Sequence, residues 1–128
     1  MPKWSEYKEI ARSRGALALE LYVVESTPQV EPEQLRETLP DHLAYQKEVE
    51  AAGNLVLAGP LSDDTGELME GAGMIVYRAE SLAAARALAD ADPMHARQCR
   101  SYRIRRWLVN EGSLNLHVRL SEQSVVFE

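Results

Sequence analysis

The residue of this chain best placed to do acid–base chemistry is His42, near the start of a predicted helix from Pro40 to Gly53. Proline suits the first helical position, where its missing N–H costs no hydrogen bond, and glycine suits the left-handed position that ends a helix. His42 falls on the apolar side of this helix, so that partial burial and the positive dipole end both favour a neutral imidazole. A neutral imidazole can accept a proton. The same pattern is also typical of a core histidine without a chemical role.

A second candidate, Asp92, precedes Pro93 directly after a predicted alanine-rich helix over Leu82–Ala91, for which Ser81 is a suitable N-cap. An aspartate in such a turn often bonds to its own backbone, which is the simpler interpretation. An aspartate bonded to one imidazole nitrogen would instead fix the tautomer of the histidine and leave the other nitrogen as a base. Whether Asp92 reaches His42 depends on the fold.

Four further residues could shape or support a ligand pocket. Tyr45 lies one helical turn beyond His42 and would either line the pocket or pack in the core. Gly59 and Pro60 form a turn in which backbone could approach a ligand closely, although the same turn would also end a strand. His95 follows Asp92 closely and is expected to be a surface or supporting residue rather than a catalytic one.

Arginines crowd one segment of this otherwise acidic protein. Arginine suits the recognition of carboxylates, so that the ligand could be an anion. The pattern favours the alternative, a solvated edge whose arginines pair with Glu and Asp between subunits. The arginines concerned are Arg97, Arg100, Arg103, Arg105 and Arg106.

Composition limits the classes of function. With 128 residues, 45% apolar residues and a net charge of −6, we expect one globular domain that does not bind nucleic acid. No run is long enough for a membrane span and no signal peptide opens the chain, and the single Cys99 fits a cytoplasmic protein. The three histidines have no recognised ligand spacing. We therefore expect neither a metal nor another cofactor.

The order of the predicted elements indicates an α+β fold. We predict a helix over residues 1–14, a strand over 16–26, a helical turn over 33–39 before the helix from Pro40, strands over 55–58 and 73–78, a helix over 82–91, and strands over 102–110 and 114–120. From residue 16 this is the ferredoxin-like βαββαβ pattern, an antiparallel sheet with both helices on one face. The strand over 114–120 alternates, which predicts a half-buried hairpin partner for the strand before it.

Both faces of the first strand are apolar. Leu19, Leu21 and Val23 share the face that we expect in the core, and Tyr22 and Val24 share the other. If helices cover only one face, the face with Tyr22 and Val24 is too apolar for water. The sequence therefore predicts a homodimer or a higher homo-oligomer that packs sheet against sheet.

Several of these motifs, in this order, resemble the YCII-related (YciI-like) family over residues 18–110. They are the run from Leu39 to Tyr45, the run from Gly53 through Gly59-Pro60-Leu61, then Gly73, Ser81 and its helix, and Ala91-Asp92-Pro93-Met94. The resemblance implies a dimeric α/β barrel built from ferredoxin-like subunits, and an active site around His42 and Asp92. Met94 stands where an aromatic residue is more usual, so we expect a pocket wall of different shape. The segment before Gly15 and the strand after Gly112 are expected to be additions.

Two functions follow as hypotheses. The first is a cofactor-free small-molecule enzyme of isomerase or lyase type, with His42 and Asp92 as catalytic residues and Gly59, Pro60, Met94 and Tyr45 as ligand-binding residues. The second is a non-catalytic protein that binds a small ligand in the same cavity. Both place one domain over residues 1–128, with a helical extension over 1–15, a core over 16–110 and a strand extension over 111–128.

Overall fold

The structure, a computed structural model, describes residues 1–128. The chain forms two compact units, one of Glu20–Trp107 and one of Met1–Leu19 with Leu108–Glu128. In chain order the helices and strands are α1 (Trp4–Ser13), β1 (Leu19–Pro28), α2 (Pro32–Ala51), β2 (Leu55–Pro60), β3 (Gly73–Tyr77), α3 (Leu82–Ala91), α4 (Pro93–Ala96), β4 (Arg100–Val109), β5 (Leu116–Arg119) and β6 (Ser124–Phe127). None of the helices is both long and apolar enough to cross a membrane.

The larger unit is built on a four-stranded antiparallel sheet with the strand order β2-β3-β1-β4. In the pairing of β1 with β3, Tyr22 lies opposite Tyr77 and Ser26 lies opposite Gly73. A bulge between Leu55 and Leu57 shifts the register of β2 against β3. The strand order and the two main helices confirm the predicted ferredoxin-like α+β fold.

The core lies between one face of this sheet and the helices α2 and α3. Tyr22 and Val24 of β1 pack in one cluster with Val49 of α2 and with Ala85 and Ala89 of α3. The alanines have no exposed surface, and their small side chains let α3 approach the sheet closely.

The assignment of the two faces of β1 was wrong, because the face with Tyr22 and Val24 is the one that meets the helices. The opposite face is not bare either, since Leu21 and Val76 on it are 4% and 1% exposed. Both faces of β1 are apolar, and alternation alone cannot tell which of two apolar faces the helices cover.

The helix α2 is continuous from Pro32 to Ala51, whereas the sequence suggested a new start at Pro40. Pro32 occupies the beginning of the helix, where proline is well tolerated. Pro40 lies inside the helix on its exposed side, at the cost of one backbone hydrogen bond. Thr38 and Val49, three turns apart, are both buried, and we infer that this packing on either side of Pro40 keeps the helix continuous.

The smaller unit contains α1 and a hairpin of β5 and β6, in which Leu116 lies opposite Phe127. The predicted pairing of residues 114–120 with the preceding strand was therefore wrong, and so was the half-buried face, because every residue of β5 is exposed. The partner is the segment after it, reached by a turn in which Gln123 has a positive φ of 50°. The alternation of residues 114–120 does not by itself identify the strand with which they pair.

Candidate active site

One cavity of about 450 Å³ lies within the larger unit. Its wall comes from α2, from the β2–β3 region and from the segment around α4, and most of the side chains are apolar. Leu39 and Leu43 of α2, Met74 of β3 and Met94 of α4 are examples. A cavity of this size suits a small organic molecule.

His42 and Asp92 meet at this cavity. His42 Nδ1 lies 2.8 Å from Asp92 Oδ2 and 2.9 Å from Oδ1. The Asp92 side chain is fully buried, and the His42 side chain is 17% exposed. α2 positions the histidine on the side that carries Leu39, Leu43 and Gln46, which also line the cavity.

Asp92 is at the same time the N-cap of α4, because its Oδ1 accepts the Met94 backbone N–H at 2.9 Å. Pro93 takes the first helical position, which needs no N–H bond. The local turn role and the contact with His42 are thus both present. Bonds from two elements fix the carboxylate, which favours a fixed imidazole orientation.

This geometry assigns the ring protons of neutral His42. A carboxylate can only accept, so Nδ1 must be the nitrogen that carries hydrogen. Nε2 makes no hydrogen bond to the protein, so its lone pair is available, and His42 is part of the cavity wall. Such a nitrogen can accept a proton, and the Asp92 charge stabilises the resulting imidazolium.

Of the predicted ligand-binding residues, three line the cavity and one does not. Gly59, Pro60 and Met94 belong to the wall, and a Cβ atom on Gly59 would meet nothing within 4 Å. Tyr45 packs against the core instead, with its hydroxyl donating to the Leu88 carbonyl at 2.6 Å. Burial and, to a smaller extent, the Asp92 charge raise the pKa of Tyr45.

The wall carries a second polar network, in which Arg100 and His95 are joined through Ser26, a residue that the sequence analysis did not single out. Arg100 Nε donates to Ser26 Oγ at 2.8 Å, and Ser26 Oγ lies 2.8 Å from His95 Nε2. His95 Nδ1 lies 2.8 Å from the Ala89 carbonyl, which can only accept, so that neutral His95 accepts the Ser26 hydroxyl through Nε2. Burial lowers the pKa of His95 and favours this neutral form, against the raising effects of the Ala89 carbonyl and Asp92.

The alternation of residues along β1 and β4 gave an indication of this network. Arg100 is two residues before Tyr102 and four before Ile104, both of which pack against the core. On β1, Ser26 is two residues after Val24 and four after Tyr22, which are also core residues. Polar residues in register with core positions are candidates for cavity walls. This test separates Arg100 from Arg103 and Arg105, although Arg106 shares its register.

The other arginines of the segment behave differently. Arg97 binds Asp41 at 2.7 Å, Arg105 binds Glu25, and Arg106 lies 3.5 Å from Glu20. These side chains are largely exposed, as expected for a solvated edge, but their ion pairs lie within the chain. Nowhere in the chain do three or more histidine, cysteine or acidic side chains converge as metal ligands would.

Among solved structures, the chain is similar to the 5-chloro-2-hydroxyhydroquinone dehydrochlorinase of Burkholderia phenoliruptrix AC1100 in complex with 2,5-dihydroxybenzoquinone. The sequences are 20% identical, the match covers 68% of this chain and 92% of that chain, and the TM-score is 0.55. This likeness supports the shared fold. None of the curated proteins compared with the chain matches it. The model of the YCII-related domain matches residues 19–108, which is most of the sequence, and the chain therefore belongs to the YCII-related family.

Proposed function

We propose that this protein is a small-molecule enzyme in which His42, oriented by Asp92, transfers a proton to and from a substrate bound in the cavity. The observation that carries the proposal is the pair of contacts from His42 Nδ1 to the buried Asp92 carboxylate, at 2.8 and 2.9 Å. A non-catalytic binding protein would not need an imidazole with one nitrogen fixed and the other available. The dyad thus favours the enzyme over the binding protein.

The reaction type that fits is proton abstraction followed by isomerisation or elimination. Nε2 takes a proton from a carbon or oxygen of the substrate, and the electron pair left behind moves into the adjacent unsaturated system. In an isomerase His42 returns the proton at another atom, and in a lyase a leaving group departs with its bonding electrons. Asp92 stays ionised and stabilises the imidazolium in between.

The character of the cavity supports a substrate with a largely apolar body. Side chains such as Leu39, Met74 and Met94 offer no polar atoms, so that water is displaced readily by a carbon framework. The structural neighbour is a dehydrochlorinase, and loss of hydrogen chloride is an elimination of the kind proposed here. We place a carbonyl-containing or aromatic ring compound in the cavity, without a cofactor.

The test uses the neighbour's substrate, 5-chloro-2-hydroxyhydroquinone, as a first probe and measures chloride release. The wild-type protein is expected to accelerate the release, and His42→Asn to lower the rate by a factor of about 10² to 10⁴, the usual contribution of a general base. Arg97→Gln serves as the control, since Arg97 pairs with Asp41 away from the cavity wall, and it should keep the wild-type rate. An equal rate in His42→Asn and the wild type would contradict the role of His42.

We also propose that the protein is a cytoplasmic homodimer. Leu57, Leu61, Leu68 and Met69 lie on β2 and the loop after it, and all four are exposed. A run of large apolar side chains at the surface favours a partner, and a second copy of the chain is the commonest one. The buried, unpaired Cys99 suits a reducing compartment.

A further inference from the structure

The guanidinium of Arg100 has two N–H groups that the protein does not use. Nε donates to Ser26 Oγ at 2.8 Å, and Nη2 donates to the Ser26 carbonyl at 2.9 Å and to the Gly71 carbonyl. Of the five guanidinium N–H groups, those three have acceptors. The two on Nη1 remain, on a partly buried side chain that lines the cavity.

The charge of Arg100 is not balanced by the groups it contacts. All three of its acceptors are neutral oxygen atoms, in contrast to the carboxylates that bind Arg97 and Arg105. Burial lowers the pKa of Arg100, an effect that the charge of Asp92 opposes. A partly desolvated cation is costly without an anion, and an anion in the cavity would offset that cost.

The wall as a whole carries an excess of positive charge. Arg36 of α2 is a second cation on it, exposed at the side of the cavity. The one carboxylate, that of Asp92, is directed to His42 and to the Met94 N–H. Arg36 and Arg100 are two positive charges, whereas the wall has a single carboxylate, which is already hydrogen-bonded.

The orientation of the Arg100 guanidinium is fixed by hydrogen bonds that connect it to Ser26 and His95. Ser26 Oγ accepts from Arg100 and donates to His95 Nε2, and His95 Nδ1 donates to the Ala89 carbonyl. Ser26, at the centre of this series of hydrogen bonds, is only 3% exposed and is therefore shielded from water. A donor held in this way loses little conformational entropy when a ligand binds.

We propose that Nη1 of Arg100 binds a carboxylate group of the substrate, and that the substrate is therefore a small organic acid with an apolar body. The identification of this ligand as a substrate rests on the function proposed above, whereas the anion site is inferred from the contacts of Arg100 alone. Because the Nε and Nη2 hydrogens already have acceptors, the carboxylate can bind only through Nη1. The contact is therefore end-on rather than the bidentate contact that uses Nε and Nη2 together. Ser26 and His95 are positioning residues, because they act through Arg100.

The test compares benzoate with benzamide, which has the same ring and nearly the same shape but no charge. Binding is measured by calorimetry at neutral pH. The wild type should prefer benzoate by about tenfold or more, the range of one added charge-assisted hydrogen bond. Arg100→Gln should bind both equally, and Arg97→Gln should keep the preference. A wild type that binds benzoate no better than benzamide, or not at all, would overturn the proposal, as would a preference that survives in Arg100→Gln.

A second measurement needs no variant, in case Arg100→Gln fails to fold. The Arg100 side-chain resonance in a ¹⁵N spectrum of the wild type should shift with benzoate and stay in place with benzamide, and the reverse pattern contradicts the site. His42→Asn separates the two proposals. If it keeps the preference for benzoate while chloride release fails even in the wild type, the proton-transfer function is wrong and the anion site holds. Loss of the preference for benzoate in Arg100→Gln, together with chloride release by the wild type that His42→Asn lowers, supports both proposals.

Discussion

At the level of single residues, the hydrogen bonds of Asp92 determine which nitrogen of His42 can react. A carboxylate accepts only, which forces the hydrogen onto Nδ1 and leaves Nε2 with its lone pair. His95, on the same wall, has the same tautomer, but its Nε2 is occupied because it accepts the Ser26 hydroxyl, while its Nδ1 donates to a carbonyl. Of the two imidazoles, only that of His42 is available as a base.

Asp92→Asn tests this dyad directly. An amide can both donate and accept, so that it no longer fixes the tautomer of neutral His42, and the fraction with hydrogen on Nε2 should rise. The ¹⁵N chemical shifts of the two ring nitrogens measure that fraction. Asp41→Asn is the matched control, because Asp41 is adjacent in sequence but binds Arg97. Equal tautomer populations in the wild type and Asp92→Asn would show that Asp92 does not orient the ring.

The pKa of His95, lowered mainly by burial, predicts how stability depends on pH. The unfolded chain takes up a proton near the ordinary histidine pKa of about 6.5, whereas the folded protein takes it up only at lower pH. Stability should therefore fall as the pH drops below about 6.5, by at most about 1.4 kcal/mol per pH unit for this one proton.

His95→Asn removes that titration and keeps a donor near the Ala89 carbonyl, so its unfolding free energy should depend less on pH between 7 and 5. Urea unfolding of both proteins across this range measures the difference. Parallel curves would mean that His95 is protonated as easily in the folded protein as in the unfolded chain.

At the level of elements, α3 can lie close to the sheet because its inward residues are alanines. Ala85 and Ala89 have no exposed surface, and Ala89 also supplies the carbonyl that holds His95. The packing of α3 and the position of the polar network are therefore coupled through one residue.

Ala85→Leu should destabilise the larger unit by about 1–3 kcal/mol, the usual cost of inserting extra methylene groups into a packed core. Ala84→Leu, one position away on the exposed side, should have little effect. Chemical denaturation of the two variants measures the difference. Equal stabilities would show that the contact between α3 and the sheet is loose.

Element order and helix capping could be predicted from the sequence, and α3 begins and ends where the pattern placed it. The break expected at Pro40 could not be judged correctly, because the packing that holds α2 together across it is tertiary. The same holds for β5, whose alternation is compatible with more than one partner. His42 and Asp92 could be nominated, and Arg100 could be named among the arginines suited to an anion. Its connection to Ser26 and His95 could not be predicted, because it exists only once β1, α4 and β4 are brought together.

At the level of the whole molecule, the outstanding question is assembly. The sheet face away from α2 and α3 is no reason to expect a partner, since Leu21 and Val76 on it are buried. The exposed apolar run on β2 and its loop takes its place. We expect sedimentation at micromolar concentration to give about twice the chain mass of 14.3 kDa.

Leu57→Glu places a charge in that run and should shift the protein toward the monomer, whereas Leu114→Glu, at an exposed apolar position outside it, should not. Sedimentation of the two variants beside the wild type measures the shift. A wild-type protein that sediments as a monomer would contradict the homodimer outright.

The double attachment of Asp92 links the shape of the cavity to its reactivity. Asp92 begins α4, the first turn of α4 places Met94 on the wall, and the same carboxylate holds His42. A substitution at Met94 that enlarges the cavity for a bulkier ligand also disturbs the first turn of α4. The orientation of the His42 imidazole depends on that turn. Substrate range and catalytic activity thus both depend on Asp92 and the first turn of α4. A change that alters one of the two properties, by evolution or by engineering, is expected to alter the other.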